Sequence, residues 1–285
     1  MLRYRLPVGV ALILLLAGVV WCDEQQVAVA ANWFPGGALP AGCVLGLLGF
    51  VVLVPAMAFE LTRLLKAGGV DAWPLHFAMP IACGAFAAVC LHAWRADAWA
   101  RVAMVLVLMG LLPALGSLLR NNAARALADV GRWILFAVWI GAMPACWIAL
   151  RAQVPWWGVI GAVLAVKCND IGAYFAGRVC GRDHMVPWLS PQKTWQGFCG
   201  GTLASIAAGM WLSMQMGLGW HWGAAYGIAI SVLGPFGDLS ESLLKRQAEM
   251  KDSGATIPGM GGVLDVLDSL LPTAPAALWM LAAAG

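Results

Sequence analysis

The chain has 285 residues, 62% of them hydrophobic and only 11% charged, with a formal net charge of +3. That is far below the roughly 25% charged content of soluble domains, so the composition excludes a water-soluble enzyme and identifies an integral membrane protein. The small positive charge gives nucleic-acid binding no footing, and the eight cysteines, with no C-x-x-C and no Cys/His grouping, support neither a disulfide framework nor a zinc site.

Apolar runs long enough to cross a bilayer, about 20 residues each, fall near residues 6–21, 41–59, 74–94, 102–119, 133–150, 156–174, 198–216, 222–239 and 263–284. The expected architecture is therefore all-α and polytopic, with about nine transmembrane helices. The first run follows Arg3 and Arg5 but lacks a small-x-small cleavage site and is followed by Asp23 and Glu24, so it reads as a retained span. With the N-terminus cytoplasmic, thirteen of the lysines and arginines lie inside, against Arg95, Arg101 and Arg151 outside. Every polar-rich loop then faces the cytoplasm, where nucleotides are.

Residues 1–150 read as lipid-embedded scaffold and residues 151–285 as the catalytic portion of a single domain spanning 1–285. His76 and His92 are isolated and read as packed or interfacial side chains. Tryptophans near span ends, such as Trp21, Trp94 and Trp157, are explained by interfacial anchoring.

Three polar blocks follow. The first closes the sixth span, where Lys167, Asp170, Tyr174 and Gly177 share one helical face. An ionisable pair at membrane depth is a functional-site hypothesis by default. The second begins at Ser190 and Pro191, continues through Lys193 and Thr194, and ends in the Gly-rich start of a helix. It offers a cation, a hydroxyl and backbone N–H groups to an anion, although it does not match a Walker loop. The third runs from Gly237 to Asp268. Asp238, Glu241 or Ser242, and Lys245 share a face; Pro258 and Gly259 break the chain; Gly261 and Gly262 then lead into a helix bearing Asp265 and Asp268.

Carboxylates without histidine or cysteine neighbours are hard oxygen donors suited to Mg²⁺. Lys245, Arg246 and Lys251 are what a polyphosphate needs for its remaining charge. Acids for metal and bases for phosphate point to phosphoryl or nucleotidyl transfer.

At these residues the chain resembles the phosphatidate cytidylyltransferases, or CDP-diacylglycerol synthases. Their signature reads S-x-hydrophobic-K-R-x4-K-D-x-small-x2-hydrophobic-P-x-H-G-G-hydrophobic-x-D-R-hydrophobic-D. Ser242, Lys245, Arg246, Lys251, Asp252, Gly254, Ile257, Pro258, Gly261, Gly262, Asp265 and Asp268 match it in register. The family segments N-D-x-x-A-Y-x-x-G, S-P-x-K-T-W-x-G-x-x-G-G and G-D-x-x-E-S look like residues 169–177, 190–201 and 237–242. The resemblance is strong over 167–268 and only topological before it. The signature histidine is Met260 here and the signature arginine is Val266.

The resemblance implies an enzyme of the cytoplasmic membrane that joins CTP to phosphatidic acid, releasing pyrophosphate and making CDP-diacylglycerol for phospholipid biosynthesis. It implies Asp238 and Asp265 as ligands of Mg²⁺, with a second cation and a homodimer left open. Asp268 and Asp170 support them, and Lys245 and Lys251 join the catalytic set. Lys193, Thr194, Ser190, Arg246, Ser242, Asn169, Asp170, Gly261 and Gly262 are the candidate substrate contacts. Two other readings stand beside it: a CTP-dependent transferase acting on another lipid acceptor, such as a prenol phosphate, and a non-catalytic lipid-binding paralogue, which Met260 and Val266 favour.

Overall fold

The computed structural model describes residues 2–33, 41–70, 75–92 and 123–282. Their helices are α1 (Leu2–Trp33), α2 (Cys43–Leu48), α3 (Val54–Ala67), α4 (Leu75–His92), α5 (Ala123–Leu135), α6 (Met143–Arg151), α7 (Trp156–Cys180), α8 (Trp195–Gln215), α9 (Trp220–Gln247), α10 (Val263–Leu267) and α11 (Leu270–Ala277). Apart from these, a short antiparallel hairpin joins β1 (His184–Val186) to β2 (Ser190–Thr194). Helix dominates because lipid offers a backbone no external partner, and a helix satisfies its N–H and C=O groups within itself.

Five stretches among the described residues are long and apolar enough to cross a membrane: Pro7–Gln25, Cys43–Ala67, Leu127–Arg151, Trp156–Cys180 and Trp195–Gln215. These make the chain a multi-pass, all-α membrane protein. The second runs without a break from α2 to α3 through a π-helical turn at Gly49–Leu53, and α5 continues into α6 through another at Phe136–Ala142. The run expected at 222–239 lies inside the longer α9. The run expected at 263–284 is not one helix: α10 stops at Leu267, and the apolar stretch that follows, Leu270–Ala282, is shorter than a full span. The run expected at 102–119 lies outside the described residues.

Helices α7, α8 and α9 form a tightly packed unit whose seams are lined by small residues. A Cβ on Gly172 of α7 would lie 2.7 Å from Ala204 Cβ and 2.9 Å from the Gly200 carbonyl oxygen of α8. A Cβ on Gly223 of α9 would lie 2.1 Å from the Gly209 carbonyl oxygen of α8. In lipid the driving force between helices is close packing rather than exclusion of water, and small residues let backbones approach. Several glycines of the second polar block are thus packing residues. Tyr226 is fully buried at the centre of this unit and donates its hydroxyl to the Ala162 carbonyl at 3.2 Å, which makes its polar end tolerable there.

A second core joins the two halves of the chain. Met57, Leu61 and Leu64 of α3 pack with Phe136 and Ile140 of the second π-helical turn and with Leu264 and Leu271 from the last part of the chain. The second half of α1 is fastened by a buried ionic clasp. Asp23, 1% exposed, accepts the Gly42 and Val44 N–H groups at 2.8 Å each, capping α2. Arg151 pairs with Asp23 at 3.1 Å and with Glu24 at 2.7 Å, and donates to the Val154 carbonyl at 3.2 Å.

Candidate functional site

Three lysines from separate parts of the sequence, each ion-paired, gather where α7, β2, α9 and α10 come together. On α7, Lys167 Nζ lies 3.2 Å from Asp170 Oδ2 and 3.2 Å from Ser269 Oγ, and Ser269 Oγ donates back to Asp170 at 3.4 Å. The shared face read from the i, i+3 spacing is therefore a real pair, tied to the start of α11. From β2, Lys193 Nζ reaches Asp238 Oδ2 and the Pro235 carbonyl on α9, both at 3.2 Å. From α9, Lys245 Nζ reaches Asp265 Oδ1 at 2.7 Å and Glu241 Oε1 at 3.5 Å.

The carboxylates form a continuous row. Asp268 lies within hydrogen-bonding reach of Asp238 and of Glu241, and Glu241 within reach of Asp265. Gly237 makes the row possible: a Cβ there would stand 2.1 Å from the Asp268 carbonyl oxygen, so only glycine lets α9 come this close to the end of α10. Glu241 is fully buried, with the long ion pair to Lys245 as its cationic contact and no hydrogen bond to either oxygen among the described residues. It sits on the extension of α9 beyond residue 239. Burial pushes its carboxyl up to about 7, with Lys245 opposing the rise and Asp265 adding to it.

Asp265 is differently placed from its neighbours. Its Oδ2 accepts the Gly262 N–H at 2.7 Å, the Ser253 N–H at 2.9 Å and the Ser253 hydroxyl at 2.8 Å, while Oδ1 takes Lys245. By taking the N–H of the N-cap residue Gly262, it satisfies a donor at the start of α10. Gly261, at φ 98°, must be glycine for its backbone and also for space, because a Cβ there would lie 2.5 Å from Asp265 Oδ2.

Other expected contacts take different positions. Thr194 is buried and caps α8 by accepting the Gly197 N–H at 3.1 Å, and Asn169 is buried with its side-chain oxygen against Gly201. Ser190 opens β2 opposite Val186. Ser242 is half-buried one residue beyond Glu241. Arg246 and Lys251 are exposed, with no ion pair among the described residues. Met260 lies in a tight turn in which Ile257 and Gly261 exchange backbone hydrogen bonds, and its N–H goes to Ile257.

One residue of the scaffold half, which no sequence motif singles out, enters this region. Glu60 of α3, 3% exposed, accepts hydrogen bonds from Ser253, Thr256, Val263 and Leu264. The available signal was an acid directly after an apolar run, which reads equally well as an ordinary span boundary.

The donor set suits a divalent cation in type and charge. Among the described residues Asp170, Asp238, Glu241, Asp265 and Asp268 stand with Lys167, Lys193 and Lys245, so with every group ionised the cluster carries a formal surplus of two negative charges. No group of three or more donors is already drawn to metal-holding positions among the described residues.

An apolar cavity of about 110 Å³ is lined by Leu267, Leu270 and Leu271, which flank Asp268 and Ser269 in the chain, and by Leu16, Met57 and Trp147 among others.

The sequence profile described as the Cytidylyltransferase family matches residues 27–284. The phosphatidate cytidylyltransferase of Bacillus subtilis (strain 168) is 31% identical over 255 residues, covering 84% of this chain and 91% of that protein. The phosphatidate cytidylyltransferase of Brucella suis biovar 1 (strain 1330) is 42% identical over 110 residues, 38% of this chain and 41% of its own length. That of Mycobacterium tuberculosis (strain ATCC 25618 / H37Rv) is 35% identical over 159 residues, 54% of this chain and 48% of its own length. The match thus spans less than half of these last two relatives.

Proposed function

The chain belongs to the cytidylyltransferase family, and on that premise we propose that it is a CTP:phosphatidate cytidylyltransferase of the cytoplasmic membrane, working at the cytoplasmic face. The observation that carries this reading is the single row of carboxylates, Asp238, Asp268, Glu241 and Asp265, flanked by Lys193 and Lys245, with an apolar cavity lined by the chain neighbours of Asp268. A phosphate-bearing lipid has its charged end at the row and an acyl chain in the cavity.

In the proposed reaction a phosphate oxygen of phosphatidate attacks the α-phosphorus of CTP. The new P–O bond forms as the bond from the α-phosphorus to the oxygen bridging to the β-phosphorus breaks. Pyrophosphate leaves with that electron pair, and CDP-diacylglycerol remains. The nucleophile is already an anion at neutral pH, so no strong base is required, and Met260 in place of histidine leaves the chemistry intact. What the site must supply is positioning and charge neutralisation. Lys193 and Lys245 balance phosphate charge within the site, and Arg246 and Lys251 extend the positive surface for the triphosphate.

Mg²⁺ would be held by Asp238 and Asp265 with Asp268 and Glu241 between them, and when bound it supplies neutralisation of the triphosphate and the departing pyrophosphate. For Asp265 to join, Lys245 must leave its Oδ1 and become available to phosphate.

The test is to incubate the purified protein in lipid with CTP, Mg²⁺ and either phosphatidate or a prenol phosphate, following the liponucleotide and pyrophosphate. CDP-diacylglycerol from phosphatidate is the expected product. Turnover only with the prenol phosphate would move the acceptor assignment, and no turnover with either would leave a lipid-binding protein.

A further inference from the structure

Glu60 is buried against the signature loop, far in sequence from any polar block, and among the described residues its hydrogen-bond donors all come from that loop and the start of α10. Its Oε1 accepts the Thr256 hydroxyl at 2.8 Å and the Val263 N–H at 3.0 Å; its Oε2 accepts the Leu264 N–H at 2.8 Å and lies 3.2 Å from the Ser253 hydroxyl. No lysine or arginine pairs with it among the described residues. The first N–H groups of α10, which have no partner within the helix, receive this charge instead.

Two small positions of the signature follow from it. A Cβ on Gly254 would lie 2.7 Å from Glu60 Oε1, and a Cβ on Gly262 would lie 2.4 Å from Glu60 Oε2 and 2.3 Å from Ser253 Oγ. Both glycines are there to admit a carboxylate from another helix. The same loop is held from its other side by Asp265, which takes the Ser253 and Gly262 N–H groups, so the Ser253 hydroxyl stands between two carboxylates. The loop is clamped, and α10, which carries Asp265 and leads to Asp268, starts from the clamp.

We propose that Glu60 is a positioning residue for cytidylyl transfer: through the loop at 253–264 it fixes where Asp265 and Asp268 stand relative to Asp238. It acts through the loop and touches no substrate. The inference rests on the functional reading above.

Glu60→Gln keeps the size but turns an amide NH₂ toward donors that need an acceptor. A displacement of about 1 Å in a reacting group costs up to about a hundredfold in rate, so kcat should fall about ten- to a hundredfold while KM for CTP stays within about threefold, the pattern of a loss confined to the transition state. Thr256→Val removes one hydrogen bond at the exposed end of the clamp and should lower kcat by a few-fold, with a loss of thermal stability smaller than that of Glu60→Gln. Gly262→Ala should reduce kcat as Glu60→Gln does, and the two together should be less than additive, because both disturb one contact.

Wild-type kcat in a folded Glu60→Gln protein overturns the proposal. If Glu60→Gln does not fold, wild-type kcat in Thr256→Val overturns it. Failure of the functional reading is recognised separately, by a wild-type protein that makes no liponucleotide. In that case amide hydrogen exchange at Val263 and Leu264, faster in Thr256→Val than in wild type, reports the clamp, and unchanged exchange rejects it.

Discussion

Gly237 and Asp268 meet backbone to backbone, so closely that an added methyl on the first would overlap the carbonyl oxygen of the second. This one approach places Asp238 beside Asp268 and closes the carboxylate row. Gly237→Ala must push α9 away from the α10 end. Activity should fall at least about a hundredfold, in line with the cost of about 1 Å of misplacement. The protein should remain helical by circular dichroism but melt at a lower temperature. Near-wild-type turnover would show that the row is not needed as a unit.

Asp238→Asn and Asp265→Asn should separate two roles. Asp238 has one ion-pair partner, Lys193, so its amide should abolish turnover at little cost in stability. Asp265 holds four hydrogen bonds, and its amide would face donors at both ends. That variant should also lose about 1–3 kcal/mol of stability. Thermal melts beside CTP turnover decide this, and equal stability in the two variants would refute the difference.

Chelation should stop turnover and Mg²⁺ should restore it. Because the row carries surplus negative charge, the ion should also stabilise the substrate-free protein, by about 2.7 kcal/mol at a hundredfold excess over Kd, and so raise its melting temperature. In Asp238→Asn that gain should shrink markedly. A melting point indifferent to Mg²⁺ in the wild type would mean that the row binds no ion without CTP.

Restoring the signature histidine by Met260→His should change kcat less than about tenfold, since a general base contributes about 10²–10⁴-fold only where a proton must be removed. A gain of a hundredfold or more would show that proton transfer limits this chain's reaction.

The Asp23–Arg151 clasp on α1 should matter for stability alone. Arg151→Met leaves Asp23 buried with an unpaired charge, and breaking a buried pair costs about 3–5 kcal/mol. Arg151 does not belong to the carboxylate row, so kcat in the protein that remains folded should be unchanged. A parallel loss of kcat would show that α1 is coupled to the chemistry.

Local spacing made part of this legible from sequence. Lys167 and Asp170 are three residues apart on a helix, and the structure pairs them. Asp265 and Asp268 lie beyond a Gly-Gly break, and the structure starts a short helix there. Contacts between distant segments were not legible. Nothing in the sequence pairs Lys193 with Asp238, because their meeting depends on where a hairpin folds against α9. Thr194 resembled a phosphate contact, yet a hydroxyl before a helix satisfies the helix's own N–H group equally well. Glycines in the second block looked like phosphate cradles, but several serve the close approach of α7 and α8, which only three-dimensional packing reveals. The last apolar run looked continuous because hydropathy does not register the turn at Asp268 and Ser269.

Because Glu60 supplies the acceptor for Ser253, Thr256, Val263 and Leu264, the division into a scaffold half and a catalytic half does not mark a place where the chain can be cut. A fragment starting at Trp156 would contain every recognised motif and still leave those donors facing emptiness. Adding back a separate piece containing α3 should be the minimum needed to rebuild the signature loop, so the two halves are complementary parts of one site.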